Sequence, residues 1–331
     1  MKFLLAAFFG VVAVCSCMPT NDEIKSFEDF KKVFGKTYAN AEEEAHREQQ
    51  FLKQLKWVEE NQGKNGAEYG INQYSDMSDE EFSQHNLNGL NISQMMLEVP
   101  QAPVIDTYEQ IPTNFDWRQK THVNPVRNQG ACGSCWAFAA ASVAETLYAI
   151  HRHQNIILSE QELIDCTYQG YNPTYKCHGC QSGMSPEAFK YMKQKGLLEE
   201  SHYPYKMKLN QCQANARGTR YHVSSYNSLR YRAGDQEIQA AIMNHGPVVI
   251  YIHGTEAHFR NLRKGILRGA GYNDAHIDHA VVLVGWGTQN GIDYWIIRNS
   301  WGTQWGDAGY GFVERHHNSL GINNYPVYAS L

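Results

Sequence analysis

The strongest constraint on this chain is an abrupt change in charge and cysteine content near residue 110. Residues 18–110 contain 18 Asp and Glu against 8 Lys and Arg, a net charge of −10, and no cysteine. Residues 111–331 contain 16 acidic and 20 basic residues, a net charge of +4, and six cysteines. Pro100, Pro103 and Pro112 lie at the join, and the stretch 97–113 has few helix formers, which predicts an exposed linker. The sequence therefore predicts an acidic helical unit followed by a basic, disulfide-bearing one.

The composition excludes several classes of protein. With 331 residues, of which 42% are hydrophobic and 12% aromatic, the chain can form about two packed domains. That content excludes intrinsic disorder and a collagen-like repeat. A formal net charge of −5 argues against a nucleic-acid binder, which needs a concentrated basic surface.

The first 17 residues have the pattern of a secretory signal peptide. Lys2 gives the positive start, residues 3–14 the apolar stretch, and residues 15–17 (CSC) a cleavage site of small residues. A membrane anchor is the alternative, but the apolar run is shorter than a helical span requires, and no other long apolar run follows. Secretion would bring the remaining six cysteines into an oxidising compartment, where disulfides persist.

The two units differ in their predicted secondary structure. In the acidic unit, residues 41–61 form a helical pattern with Phe51, Leu55 and Val58 on one face, and Phe recurs at positions 27, 30 and 34. An N-glycosylation sequon begins at Asn91. In the first half of the basic unit, the residue pattern predicts helices over 135–150 and 187–195 and a capping box at 159–162. In the second half, the pattern predicts strands over 248–252, 280–284, 294–297 and 310–313. A helical half facing a β half leaves a cleft between them.

The sharpest chemical signal is residues 129–136 (QGACGSCW), which open the long apolar helix. Unpaired N–H groups and the helix dipole lower the pKa of a thiol at a helix N-terminus, so Cys135 lies where a thiolate would be stabilised. Such a nucleophile needs an imidazole partner and a group that orients the imidazole. His279 and Asn299 adjoin predicted strands in the opposite half, so the two halves could close around a substrate.

These segments resemble the papain-like cysteine peptidases. Residues 132–136 (CGSCW) match the family's nucleophile signature, and residues 278–280 and 299–302 resemble its His and Asn segments. Residues 70–76 (GINQYSD) resemble the central motif of the family's inhibitory prosegment. The chain keeps part of that prosegment's helical pattern, at Glu43, Arg47, Phe51 and Val58. At two positions where the family has Asn, this chain has Gln54 and Gln62. The mature sequence is most similar to the group 1 mite allergens, which are secreted digestive peptidases.

The resemblance implies an α+β, papain-like two-domain fold: a helical left domain, a β-barrel-like right domain and an active-site cleft between them, preceded by a helical N-terminal prosegment. It divides the chain into a signal peptide (1–17), an inhibitory propeptide (18–110) and a mature peptidase domain (111–331). The implied protein is a secreted, monomeric cysteine endopeptidase made as an inactive zymogen, digestive and allergenic. Its partners would be protein and peptide substrates and its own propeptide, with no nucleic acid, no membrane after signal removal, and no metal or organic cofactor.

The resemblance also implies a role for each residue of the site. Cys135 would attack the scissile carbonyl, and His279 would take its proton and deliver it to the leaving amine. Asn299 would hold the imidazole, Trp301 would shield that hydrogen bond, and Gln129 would donate to the oxyanion. The expected substrate-binding residues are Gly183, Met184, Ile277 and Trp301. Gly183 would pair with the substrate backbone, and Met184, Ile277 and Tyr251 would line an apolar pocket.

The family's disulfide pairing implies Cys132–Cys180 and Cys166–Cys212, which leaves Cys177 odd. Cys177 could compete with Cys180 for Cys132 or remain a free thiol; the match of Gly179 and Cys180 to the family favours Cys180. The two C-x-x-C pairs, at 132–135 and 177–180, could also form a zinc ribbon, and the first could be a redox pair, but neither explains His279 and Asn299.

Other features have a structural interpretation beside a functional one. The Arg and Lys of residues 260–268 are typical of a solvated helix face. Asp278 could tune the pH dependence of His279 or be a solvated loop carboxylate. A peptidase-shaped binding protein that does not cut would normally lack the nucleophile, the His or the Gln, and this chain has Cys135, His279 and Gln129.

Overall fold

The computed structural model describes residues 24–86, 92, 96–103, 110–213, 215–272 and 276–331. The predicted signal peptide, Asn91 of the sequon and the centre of the predicted linker lie outside these residues. Within the described ranges, no helix has both the length and the apolar character needed to cross a membrane.

The structure is α+β, with helices before and beside one mixed sheet. The helices are α1 (Phe27–Phe34), α2 (Ala41–Asn61), α3 (Asp79–Asn86), α4 (Cys135–Arg152), α5 (Glu160–Cys166), α6 (Ser185–Lys195), α7 (Asp235–His245) and α8 (Ala257–Arg260). The strands are β1 (Ala67–Tyr69), β2 (Phe115–Asp116), β3 (Ser225–Ser228), β4 (Val248–Ile252), β5 (Leu262–Leu267), β6 (His279–Gln289), β7 (Ile292–Arg298), β8 (Tyr310–Glu314) and β9 (Val327–Ser330). Short 3₁₀ turns lie at Lys64–Gly66, Trp117–Gln119 and Ser319–Gly321.

The sheet joins the acidic unit to the basic one. Its strands follow the order β1-β5-β8-β7-β6-β4-β9-β3, and β2 pairs with β6. The β5–β8 pair is parallel and the other pairs are antiparallel. Because β1 belongs to the acidic unit, that unit extends the sheet of the basic unit by one strand.

Local capping signals set the ends of several helices. The predicted helix over residues 41–61 is confirmed, and its N-cap Asn40 accepts a hydrogen bond from the Glu43 amide. At the end of α1, Gly35 has a φ of 61°, a left-handed conformation that favours glycine. The buried face of α2 differs in one position from the prediction, because Gln54 is buried there and Leu55 is only partly buried.

Two apolar clusters cover the opposite faces of β4 and β6, as expected from the alternation of side chains along a strand. One face packs against α4, whose residues are nearly all buried, and contains Val249 and Tyr251. The other face contains Val248 and Ile250 and continues into buried aromatic side chains of the acidic unit, which are Phe27, Phe30, Phe51, Tyr69, Tyr74 and Phe82. The acidic unit therefore shares a hydrophobic core with the β half of the molecule.

Most described residues of the predicted linker over 97–113 are exposed, as expected, but both described ends of the segment are attached to the basic unit. Val99 is buried, and the Ala102 amide donates to the Ser228 carbonyl at 2.8 Å. At the other end, the Trp286 indole donates to the Pro112 carbonyl at 2.9 Å. The reason is that β3 is an edge strand, whose open backbone groups bind the passing chain.

Candidate active site

Cys135 is the first residue of α4, and its sulfur reaches across the cleft to the β half. The Ala280 amide in β6 donates to Cys135 Sγ at 3.5 Å. The side chain of Cys135 is buried, and Ser134 at the N-cap makes no side-chain capping bond. The thiol therefore lies at the first turn of α4, beside the start of β6.

His279 begins β6, directly before the residue that contacts the thiol. Its Nε2 lies 2.8 Å from Asn299 Oδ1, which also accepts from the Ser300 amide at 2.8 Å. An amide oxygen only accepts, so Nε2 carries the proton of the neutral imidazole and Nδ1 keeps its lone pair. Nδ1 is buried and has no hydrogen-bond partner in the described chain. This is the tautomer that can take a proton from a thiol.

Trp301 covers the imidazole and its hydrogen bond to Asn299. The two rings are stacked, with centroids 4.6 Å apart and planes 19° apart. On its other sides, Trp301 contacts Tyr74 and Phe82 of the acidic unit at centroid distances of 5.8 Å and 5.3 Å. The packing that orients His279 is thus continuous with the packing of the acidic unit.

Gln129 is fixed on the helical side of the cleft. Its Oε1 accepts from Ser300 Oγ at 2.6 Å, and its Nε2 donates to the Cys132 carbonyl at 3.0 Å. The backbone N–H of Gln129 donates to the backbone carbonyl of Ser300 at 2.9 Å. Hydrogen bonds of both its side chain and its backbone thus hold Gln129 against Ser300 and Cys132.

In this form of the chain, burial keeps the reacting pair neutral. Burial raises the pKa of Cys135 to about 12, although the amides of Ala280 and Trp136 act to lower it. Burial also lowers the pKa of His279 to about 4, against the effect of its hydrogen bond to Asn299. The start of α4 therefore does not by itself yield the thiolate that the sequence led us to expect, because desolvation outweighs it.

The acidic unit contributes side chains to the apolar cluster that contains the thiol. Its residues Ile92, Met96 and Val99 belong to the same apolar cluster as Cys135 and Trp136. A segment of the acidic unit thus shares its apolar packing with the helix that carries the thiol.

Comparison with known proteins identifies both units. Residues 111–330 match the papain family cysteine protease model, and residues 27–82 match the cathepsin propeptide inhibitor domain. The chain belongs to the papain family of cysteine proteases. It is a cysteine endopeptidase that carries an inhibitory propeptide, so the predicted family, α+β fold and enzyme class are confirmed.

Individual relatives cover nearly the whole chain. A cysteine protease of Blomia tropicalis is 61% identical over 333 residues, covering 100% of both chains. A solved structure from a study of antibody cross reactivity between the mite allergens Blo t 1 and Der p 1 is 62% identical, with a TM-score of 0.90, and covers 93% of this chain and 100% of that one. Digestive procathepsin L 3 of Tenebrio molitor larval midgut is 30% identical, with a TM-score of 0.79, covering 92% and 97%.

The substrate-binding residues expected from the family stay a prediction for this papain-family protease, and each has defined surroundings in the structure. A Cβ on Gly183 would lie 2.2 Å from the Trp136 indole, so only glycine fits there. Met184 is buried and, with Val99 of the acidic unit, lines a cavity of about 180 Å³. Ile277 packs against the same apolar cluster.

Tyr251, the third residue assigned to the apolar pocket, lies within the same apolar cluster. It is buried, and its hydroxyl accepts from the Ser185 amide at 3.1 Å. The hydroxyl is therefore occupied by the start of α6 and does not reach the open cleft.

The described cysteines form two disulfides, Cys132–Cys180 and Cys166–Cys212. Because Cys132 and Cys180 are bonded to each other, neither the zinc ribbon nor the redox pair can form. The free cysteines of the described chain are Cys135 and Cys177, and both are buried. Burial raises the pKa of Cys177 to about 12, against the effect of hydrogen bonds from Met184 and Thr167.

Arg260 is the functional residue that the sequence analysis missed. The prediction of a solvated helix face over 260–268 is wrong, because α8 ends at Arg260 and β5 follows. Arg260 is 2% exposed, and its guanidinium donates to the propeptide carbonyls of Tyr74 (2.8 Å) and Met77 (3.0 Å) and to Asp79 Oδ1 (2.7 Å). No local pattern signals these contacts, since two of the acceptors are backbone carbonyls.

Arg260→Ala is expected to weaken the docking of the propeptide. A hydrogen bond that involves a charged group stabilises by about 1.5–3 kcal/mol, so losing this set should speed conversion of the precursor at neutral pH by at least about tenfold. Appearance of the mature chain on a gel measures the rate. Arg230→Ala, which removes an exposed arginine paired with Glu237, is the matched control. Equal rates for both variants and the parent would show that Arg260 does not hold the propeptide.

Proposed function

We propose that this papain-family protease is secreted as a zymogen and cleaves internal peptide bonds through an acyl-enzyme on Cys135. The observation that carries the proposal is the state of His279. Its Nε2 is hydrogen-bonded to Asn299, while its Nδ1 has no partner in the described chain. The next residue, Ala280, contacts Cys135 Sγ through its backbone amide. This arrangement suits a base that takes the thiol proton.

The proposed reaction begins when the propeptide leaves the cleft. Water then reaches Cys135 and His279, the effect of burial on both pKa values falls, and the proton moves from sulfur to Nδ1. The thiolate attacks the carbonyl carbon, and the oxyanion receives hydrogen bonds from the Gln129 side chain and the Cys135 amide. His279 then gives its proton to the leaving amine. Water, activated by the same imidazole, hydrolyses the thioester and frees Cys135.

The boundaries and the destination of the protein belong to the same proposal. A signal peptide over 1–17, a propeptide over 18–110 and a monomeric mature enzyme over 111–331, free of the membrane, are supported by the leader pattern and the two family matches. N-terminal sequencing of the protein secreted by eukaryotic cells tests these boundaries.

A digestive and allergenic role is supported by similarity to a digestive procathepsin and to a structure from mite allergen work. IgE binding in sera from mite-sensitised donors tests the allergenic part.

Hydrolysis of a fluorogenic peptide tests the activity. The processed chain is expected to hydrolyse the peptide only when a reductant keeps Cys135 reduced, and the intact precursor is expected to be far less active. Alkylation of the processed chain with iodoacetamide should abolish turnover. A folded, processed chain without turnover would instead favour a binding protein with a peptidase fold.

The charge contrast between the units acts through a few contacts. Two ion pairs between described residues cross the boundary: Asp79 with Arg260, and Glu98 with Lys176. Other propeptide carboxylates pair within the propeptide, as Glu81 does with Arg47 at 2.9 Å. Acid should therefore weaken both the docking and the internal structure of the propeptide.

The precursor is expected to be processed faster in acid. The hydrogen bond from Lys176 lowers the pKa of Glu98. Burial acts to raise the pKa of Glu81, but the Ser78 amide and Arg47 outweigh burial, so the pKa of Glu81 is also lowered. A carboxylate with a lowered pKa stabilises the folded form above its ordinary pKa, and that contribution is lost as the pH falls through the lowered value.

Conversion of the purified precursor should therefore be at least about tenfold faster near pH 4 than near pH 7, since carboxylates titrate at about pH 4. Gel analysis of timed samples measures it. The processing enzyme should be supplied as a fixed amount of immobilised acid-stable protease, so that its own pH profile can be measured and divided out. Equal corrected rates at the two pH values would contradict the electrostatic account.

A further inference from the structure

Two imidazoles and a carboxylate meet beside the catalytic site without taking part in its hydrogen bonds. His253 follows β4, and His276 and Asp278 precede β6. One ligand atom from each of these three residues lies within 4.8 Å of the others. His276 Nε2 is 3.4 Å from Asp278 Oδ2, and the rings of His253 and His276 are 4.6 Å apart.

The carboxylate of this cluster is held in place by its surroundings. Asp278 is buried; its Oδ1 accepts from the Gly254 amide at 2.6 Å and its Oδ2 from Thr255 Oγ1 at 2.5 Å. Its own amide donates to the Ile252 carbonyl at 3.0 Å. The alternative of a solvated loop carboxylate is therefore wrong. Carboxylates that bind metals are typically oriented by hydrogen bonds of this kind.

We propose that His253, His276 and Asp278 form a binding site for a divalent transition-metal ion such as Zn²⁺. Imidazole nitrogens suit zinc and its neighbours, whereas Mg²⁺ and Ca²⁺ prefer sets of oxygen ligands. Two His and one carboxylate supply three positions of a tetrahedral site and leave the fourth to water.

The site can close around an ion without a change of fold. Bonds to zinc are about 2.0–2.2 Å long, so the three ligand atoms must move together slightly from their present separation. The side chain of His276 is 67% exposed and can make that movement, while Asp278 stays fixed. The ion has no part in the proposed hydrolysis, which uses the thiol and His279.

The test uses the full-length precursor carrying Cys135→Ala, which removes the thiol as a competing ligand. Titration calorimetry with ZnCl₂ and the visible absorption of bound Co²⁺ both report occupation of the site. His276→Gln and His253→Gln should each weaken Zn²⁺ binding at least about tenfold and remove the Co²⁺ bands, since losing even a supporting contact of a metal site costs 10–100-fold. His151→Gln, which changes an exposed histidine of α4, should change neither.

Metal-free melting temperatures verify that the variants are folded, and the exposed position of His276 makes that variant the safer of the two. Absence of Zn²⁺ binding to the parent would overturn the proposal. So would binding that is unchanged in folded His276→Gln and His253→Gln, because the ion would then lie elsewhere.

Discussion

Cys135→Ala is expected to reduce the kcat of the processed enzyme by a factor on the order of 10⁶, the loss seen when a protease nucleophile is removed. Alanine has no group that can attack the carbonyl or carry the acyl intermediate, whereas fold and substrate contacts remain. The variant cannot process itself, so an immobilised protease should remove its propeptide and then be withdrawn. Hydrolysis of a fluorogenic peptide, in the presence of a reductant, gives the rate.

Cys177→Ala is the matched control for this variant. Cys177 is the other free, buried cysteine of the described chain, and burial raises its pKa to about 12 as it does for Cys135. It lies outside the arrangement of His279 and Asn299, so its replacement should leave most of the activity. Retained turnover in Cys135→Ala, or loss of turnover in folded Cys177→Ala only, would contradict the assignment of the nucleophile.

Gln129→Ala is expected to lower kcat by about 10²–10³-fold with little change in KM, because one donor to the oxyanion acts mainly in the transition state. The structure holds this side chain through Ser300 Oγ and the Cys132 carbonyl. Gln129→Glu keeps the shape but replaces the donor by an acceptor, so the loss should be at least as large. Steady-state kinetics on processed enzyme separate kcat from KM.

Gln154→Ala serves as the control for these variants, since Gln154 is an exposed glutamine after the end of α4. A kcat for Gln129→Ala equal to that of the control would remove Gln129 from the catalytic machinery. A rise in KM alone would make it a substrate-binding residue.

Features encoded by neighbouring residues could be predicted from the sequence. The bounds of α2 and β4 agree with the predicted 41–61 and 248–252, because caps and apolar runs act locally. The capping box at Ser159 is half right. Ser159 Oγ accepts from the Glu162 amide, but the Glu162 carboxylate binds the Tyr191 hydroxyl and the Leu198 amide instead of the N-cap. The Glu162 carboxylate binds partners that are distant in the sequence, and a local pattern cannot reveal such partners.

The residues of the site also differ in whether a local sequence pattern marks them or only contacts with distant residues do. Cys135, His279 and Asn299 were found because short motifs surround them. Arg260 was missed because its partners, two backbone carbonyls and the Asp79 carboxylate, lie nearly two hundred residues earlier, where no residue pattern marks them. The raised pKa of Cys135 could not be predicted either, since it depends on burial in an apolar cluster whose members are distant in the sequence.

The location of the acyl group is the most direct test of the account. Processed enzyme should be mixed with an activated ester, quenched in acid while turnover continues, digested and mapped by mass spectrometry. The account predicts one acyl group per chain, on the peptide that contains Cys135, and its loss on treatment with hydroxylamine. An acyl group on Cys177, or continued hydrolysis without any acylated Cys135, would contradict it.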